Sequence, residues 1–215
     1  MATEWSGGNH LPSLGHGGTA AADSADTAGK PIDLANGDVT VNDVNRGEAA
    51  KAGTITSVSL NNFAAATVNS SALETLTLSG KGTSVAAGTL GALTTAAISS
   101  LDLNVNGLTT TGAVTIDTDI KTLNVDSSTT KSTINSLSAS GATAVNIAGD
   151  ALLTLTGQTF AATAAITVTN TAGAVIGTAL GDSATFTGGA GADSVSVAAT
   201  KTAVVMGAGD DTVIV

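Results

Sequence analysis

Apolar residues recur along most of the chain as apolar, two residues, apolar, one residue, apolar. Copies are Ile55/Val58/Leu60, Leu73/Leu76/Leu78, Ile98/Leu101/Leu103, Ile120/Leu123/Val125 and a weaker Ala142/Val145/Ile147, with Ile166/Val168 starting a sixth. The central positions 58, 76, 101, 123 and 145 are 18, 25, 22 and 22 residues apart. A recurrence near 22 residues marks a repeat architecture in which each unit buries its apolar face against its neighbours. Between the copies lie further short runs, such as Val114-Thr115-Ile116 and Leu152-Leu153-Thr154-Leu155, punctuated by Gly, Asn, Asp and Ser. Alternation of period two with β-branched residues argues for strands. Leucine-rich repeats share the Leu-x-x-Leu-x-Leu core, but their return segments are helical or 3₁₀. Here the returns are full of Thr, Val, Ser and Gly. The pattern predicts an all-β fold, a parallel β-solenoid (β-helix) with strands on more than one side. At about 4.8 Å per coil, about five or six coils make a rod on the order of 25–30 Å long.

The flanks read differently. Residues 1–29 are rich in Gly, Ala and Asp without apolar periodicity, which predicts an extended N-terminal tail. Trp5 in this tail is a candidate anchor for an assembly. From Pro31, Ile32 and Leu34 on one side and Val39 and Val41 on the other flank Asn36-Gly37. Asn-Gly between alternating segments predicts a hairpin, because both turn positions take positive φ. The predicted organisation is a tail (1–29), a hairpin and linker (30–53), a repeat solenoid (54–176) and a C-terminal roll (177–215).

Composition sharpens this picture. The 215 residues weigh 20.5 kDa, with 26 Gly, no Cys, no Tyr, one Trp and three Phe. Such small side chains suit narrow coils better than one thick core. Seventeen acidic residues against seven basic ones give a net charge of −10. Nucleic-acid binding needs a basic track, usually with aromatic stacking, and the chain has neither. An anionic membrane surface repels it, and no apolar run is long enough to insert. The absence of Cys excludes disulfides, thiol nucleophiles and thiolate metal sites. The acidic balance suits divalent cations.

The most specific motif is near the C-terminus. Gly188-Gly189-Ala190-Gly191-Ala192-Asp193-Ser194-Val195-Ser196 fits the nonapeptide G-G-x-G-x-D-x-U-x at every defined position. Met206-Gly207-Ala208-Gly209-Asp210-Asp211-Thr212-Val213-Ile214 fits it again, except that Met206 replaces the first Gly. Two nonapeptides make one turn of a roll, so residues 188–193 and 206–211, 18 apart, should stack. Calcium takes six to eight oxygens from carboxylates and carbonyls. Glycines permit turns that aim successive carbonyls inward. Gly188, Gly189, Gly191, Asp193, Gly207, Gly209 and Asp211 are therefore the candidate calcium site, with Asp210 and Asp182 as additional candidate ligands. The competing reading is a Gly-Asp turn without metal. One stacked pair predicts one ion, or one and a partial one.

The tail motif resembles the RTX family of secreted bacterial proteins. The body, through Thr67–Leu78, Ser132–Leu137 and Ala144–Gly149, is similar to the β-strand-repeat region of type I-secreted surface-layer proteins. This resemblance covers about residues 54–215. It implies export without an N-terminal signal, guided by an uncleaved C-terminal one, and Asp211-Thr212-Val213-Ile214-Val215 is similar to one class of such signals. The N-terminal residues lack the basic start and apolar run of a secretory signal peptide. The chain departs from the family in being shorter and in carrying fewer RTX repeats.

Catalytic readings find little support. Both histidines, His10 and His16, lie in the tail, so the repeat body cannot build a Ser-His-Asp triad. Asp117 and Asp119 could form a glycosidase pair, but a solvated strand edge is the simpler reading and aromatic platforms are scarce. Gly80-Lys81-Gly82-Thr83 lacks phosphate-loop spacing. Recurring Thr-x-Thr pairs resemble ice-binding ladders but are unevenly spaced. The expected function is non-catalytic: an extracellular structural protein that self-assembles head-to-tail into a filament, matrix fibre or array, with calcium-dependent folding. The tail, Trp5, Ile32, Leu34, Val39 and Val41 are the expected joint. The alternative is a calcium-stabilised adhesin, binding for example a cell-surface polysaccharide, without self-association.

Overall fold

The computed structural model describes residues 20–22, 32–46, 48, 50–88, 98–198 and 203–215. Among these there is no helix, and every strand pairing is parallel. The chain is a parallel β-solenoid. Its strands are β1 (Ala20–Ala22), β2 (Ile32–Asn42), β3 (Ser57–Asn69), β4 (Thr75–Gly88), β5 (Ser100–Thr110), β6 (Ala113–Ile116), β7 (Thr122–Ser127), β8 (Ser132–Ile134) and β9 (Ser136–Ala139). They continue as β10 (Ala144–Gly149), β11 (Leu153–Leu155), β12 (Gln158–Phe160), β13 (Ala165–Val168), β14 (Ala174–Leu180), β15 (Thr185–Thr187), β16 (Ser194–Val197), β17 (Ala203–Val205) and β18 (Thr212–Ile214).

Alternation decides which residues face inward. In β7, Leu123, Val125 and Ser127 are buried while Thr122, Asn124 and Asp126 are partly exposed. Parallel register stacks like on like. Leu101, Leu123, Val145, Ile166 and Phe186 form one continuous column down the first face, each at most 2% exposed. Each fully buried side chain of this size contributes about 1.5–3 kcal/mol, so the core is a set of thin apolar columns. The predicted copies register as expected for Val58 on Leu76 and for Leu101 on Leu123 on Val145. Between them the frame differs by two residues, since Leu76 pairs with Leu103 rather than Leu101. A period-two pattern leaves a shift of two invisible, because residues i and i+2 point to the same face.

The cross-section changes along the rod. The coils of β7–β8–β9 and β10–β11–β12 have three strands each. From β13 onward each coil has two, as β13–β14, β15–β16 and β17–β18. The third face (β6, β9, β12) ends at β12. The two-strand roll therefore begins near residue 165 rather than 177.

The predicted hairpin is not formed. β2 runs through Asn36-Gly37 without reversing and pairs in parallel with β3, from Ile32↔Leu60 to Asn42↔Asn69. Its register slips between Asp33 and Gly37. β3 slips against β4 between Asn61 and Phe63, where Asn62 has φ 49°, and Gly80 in β4 has φ 69°. Asn-Gly here marks a corner where a strand bends around the solenoid. The positive φ angles at this level of the solenoid fall on Asn62 and Gly80 in the neighbouring strands. The solenoid thus starts at β2, well before residue 54, and β1 adds in parallel to Val39–Val41.

Candidate functional site

Two turns join the first face to the second in the last two coils: Gly188–Asp193 between β15 and β16, and Met206–Asp211 between β17 and β18. Thr187 pairs with Val205 and Ser194 with Thr212, so the turns stack with the 18-residue offset that the motif predicts. Their backbones approach closely. Gly188 N donates to Val205 O and Ala208 N to Gly189 O, both at 2.7 Å. A Cβ on Gly207, whose φ is 84°, would stand 2.2 Å from Gly189 O and 2.7 Å from Gly188 O. Only glycine lets these carbonyls come so near.

Asp193 occupies an inward position and is 1% exposed. Its Oδ1 accepts from Ala174 N at 2.8 Å and its Oδ2 from Gly189 N at 3.1 Å. Asp211 repeats half of this arrangement, its Oδ1 accepting from Asp193 N at 2.9 Å. Each aspartate thus takes the backbone N–H of the residue stacked on it in the preceding coil. Burial pushes the Asp193 carboxyl above its ordinary value; the two amide bonds offset part of that rise and the nearby Asp211 charge adds to it.

The polar groups here are carboxylates and carbonyls, a donor set suited to a hard cation such as calcium. Among the described residues no three His, Cys, Asp or Glu side chains group to hold a metal, so a cation at this corner would depend on carbonyls. Asp210 is exposed at the turn's outer side. Asp182 lies in the turn before β15, on the order of 10 Å from the glycine turn that follows β15, and is not brought into the cluster.

Other candidates resolve differently. Val39 and Val41, expected to join neighbours, are 2% and 4% exposed and sit in the chain's own first coil. Ile32 and Leu34 lie in β2, paired to β3. Trp5, His10 and His16 lie outside the described residues. Asp117 Oδ1 accepts from Asp119 N at 2.9 Å, so the pair shapes a turn. The hollow between Leu73, Gly88, Leu101, Asp117 and Ile120 offers about 10 Å³, room for a water and not for a sugar.

Other buried polar residues had no role in the sequence reading. Asp43 is fully buried. Its Oδ1 accepts from Asn45 N at 2.9 Å, and its Oδ2 accepts from Thr54 N, Ile55 N and Ser70 Oγ at 2.6, 2.8 and 2.9 Å. Asn170 Nδ2 donates to Ala148 O and Ala151 O at 3.1 and 2.9 Å. Where the third face stops, Gln158 mimics a strand, its Nε2 donating to Thr178 O and its Oε1 accepting from Thr178 N. The available signal was phase: Asp43 follows Val39 and Val41 in the inward register, and Asn170 follows Ile166 and Val168. No protein-family model and no curated protein matches the chain.

Proposed function

We propose that this protein is a non-catalytic extracellular structural module that self-assembles and is stabilised by calcium at the corner formed by Gly188–Asp193 and Met206–Asp211. The observation that carries the reading is the stacking of two Gly-Asp turns at an 18-residue offset, with carbonyls and two carboxylates on one corner. Asp193 and Asp211 would hold the ion together with carbonyls of Gly188, Gly189 and Gly191. Calcium would supply a hard positive charge that neutralises two neighbouring carboxylates and ties adjacent coils. The resemblance to RTX and surface-layer proteins supports secretion, in a form that becomes stable where calcium is abundant.

Self-association is the working activity in this proposal. Among the described residues β17 and β18 pair on one side only, and Val205, Val213 and Ile214 are exposed there. Strand edges of this kind pair with another chain unless covered. Contact of that end with the first coil of a neighbour, head-to-tail, yields a filament. The buried Val39 and Val41 stay within their own molecule.

The test is thermal unfolding and electron microscopy of the purified chain in millimolar calcium and in EGTA. A hundredfold excess of calcium over Kd adds about 2.7 kcal/mol, a rise in Tm of about 5–11 °C for a chain of this size. Filaments or sheets should form in calcium and disperse in EGTA. Identical melting in both would remove the calcium claim, and a monomer at every concentration would favour the adhesin reading.

A further inference from the structure

Asp193 is doubly engaged by backbone. Both carboxylate oxygens accept amide hydrogens, one from Ala174 in the preceding coil and one from Gly189 at the start of its own turn. The side chain is 1% exposed and stands in the inward register with Val195, which is fully buried. The same register places Ala174 and Leu153 above it, both fully buried. Asp193 therefore substitutes for an apolar core residue and closes the coil with two hydrogen bonds to ionised oxygen, the stronger class. Asp211 differs. It is half-buried, receives one amide bond, and is followed by exposed Val213 and Ile214.

We infer that Asp193 is a clasp between coils in its own right, so that the coil of β15 and β16 (residues 185–198) closes on β13 and β14 without an ion. Calcium control is then confined to the last coil, residues 203–215. The second half of this inference rests on the calcium reading above; the first half does not. The physical basis is the near one-dimensional energetics of a solenoid, in which each coil's stability depends on its own contacts and those of its neighbours. The coil of β15 and β16 has the buried side chains Phe186 and Val195 and the clasp. In the last coil Val204 is partly buried, while Val205, Val213 and Ile214 are exposed. Calcium would thus gate the end coil, the surface that the self-assembly proposal uses.

Two readouts on the full chain test this. In hydrogen exchange, the amides of Ala174 and Gly189 should be equally protected in calcium and in EGTA, while those of residues 203–215 should lose protection in EGTA. The second readout is Asp193→Asn melted in EGTA. A carboxylate serving only as a metal ligand would, once removed, relieve repulsion from Asp211 and leave Tm unchanged or raised. A clasp predicts the opposite sign, a fall on the order of 5 °C, with Ala174 exchange on the order of tenfold faster. Should Asp193→Asn fail to fold in EGTA, the clasp is supported, because wild-type exchange supplies the control. Exchange of residues 185–198 as free as that of 203–215 in EGTA overturns the clasp, as does an unchanged or raised Tm for the variant. If calcium alters exchange nowhere, end-coil gating and the calcium reading fall together, and the clasp is decided by the variant alone.

Discussion

Replacing Asp43 should loosen the first coil and leave the middle of the solenoid intact. Among the described residues the carboxylate has no basic partner; three backbone amides and the Ser70 hydroxyl satisfy it. Those bonds pin the loop that leads from β2 to β3 and tie it to the following coil through Ser70. Asp43→Ala leaves three backbone amides without their acceptor, while the Ser70 hydroxyl keeps Ile55 O at 2.8 Å. At about 1–3 kcal/mol for each buried donor left unpaired, less where water reaches the partly exposed loop, the loss should be about 3–4 kcal/mol. Asp43→Asn keeps one acceptor oxygen but turns a carboxamide NH2 toward backbone N–H donors, and should cost about 2 kcal/mol. The pH dependence has a definite sign. Burial pushes the carboxyl up, but the hydrogen bonds from Asn45, Ile55, Thr54 and Ser70 outweigh it and hold the group below its ordinary value of 3.8. A depressed folded-state value means the stabilisation is complete above the unfolded value and is lost as pH falls through the folded one. Wild type should therefore lose first-coil stability below about pH 4, and Asp43→Asn should lack that component. Hydrogen exchange at Val39 and Val41, compared with Leu123, reads the effect locally, and urea unfolding at pH 7 and pH 3 reads it globally. If Asp43→Ala matches wild type in first-coil exchange within a factor of about two, or Asp43→Asn shows the full acid-dependent loss, the clasp assigned to Asp43 is wrong.

Two further substitutions probe the columns and corners. Phe186→Ala removes a side chain that is 1% exposed and lies between Ile166 and Val204; it should cost about 3–5 kcal/mol in urea unfolding, and a loss below about 1 kcal/mol would contradict a packed column there. Gly173→Ala should destabilise by about 3 kcal/mol or more, because φ is 89° and the new Cβ would lie 2.0 Å from Ala192 O. Gly181→Ala, whose Cβ meets nothing within 4 Å, should be neutral or slightly stabilising; equal effects at the two glycines in thermal unfolding would undercut the corner geometry.

The repeat was legible because burial alternates with a period of two and parallel register stacks like residues. Leu101, Leu123 and Val145 could be aligned from spacing alone. The frame between Leu76 and Leu103 could not, since a shift of two keeps every side chain on its face. Asn36-Gly37 misled because a turn-prone dipeptide is only a local signal, while whether the chain reverses is decided by what the flanking strands pair with. Ile32 finds Leu60 in parallel, a partner 28 residues away that no turn signal announces. The stacking of the Gly-Asp turns was legible, since glycine tolerance and an 18-residue period are both written locally. What those aspartates do was less so. The motif makes Asp193 a candidate calcium ligand, and its inward phase before Val195 also places it against backbone amides. Asp43 and Asn170 follow the same rule at other corners. In each case a polar residue continues the inward phase of an apolar run just where the strand ends, and backbone groups at the turn have lost their ladder partners. An acid or amide in that position satisfies those groups from inside the coil. For a narrow solenoid with few large side chains, such corner clasps do much of what a wider core does by packing.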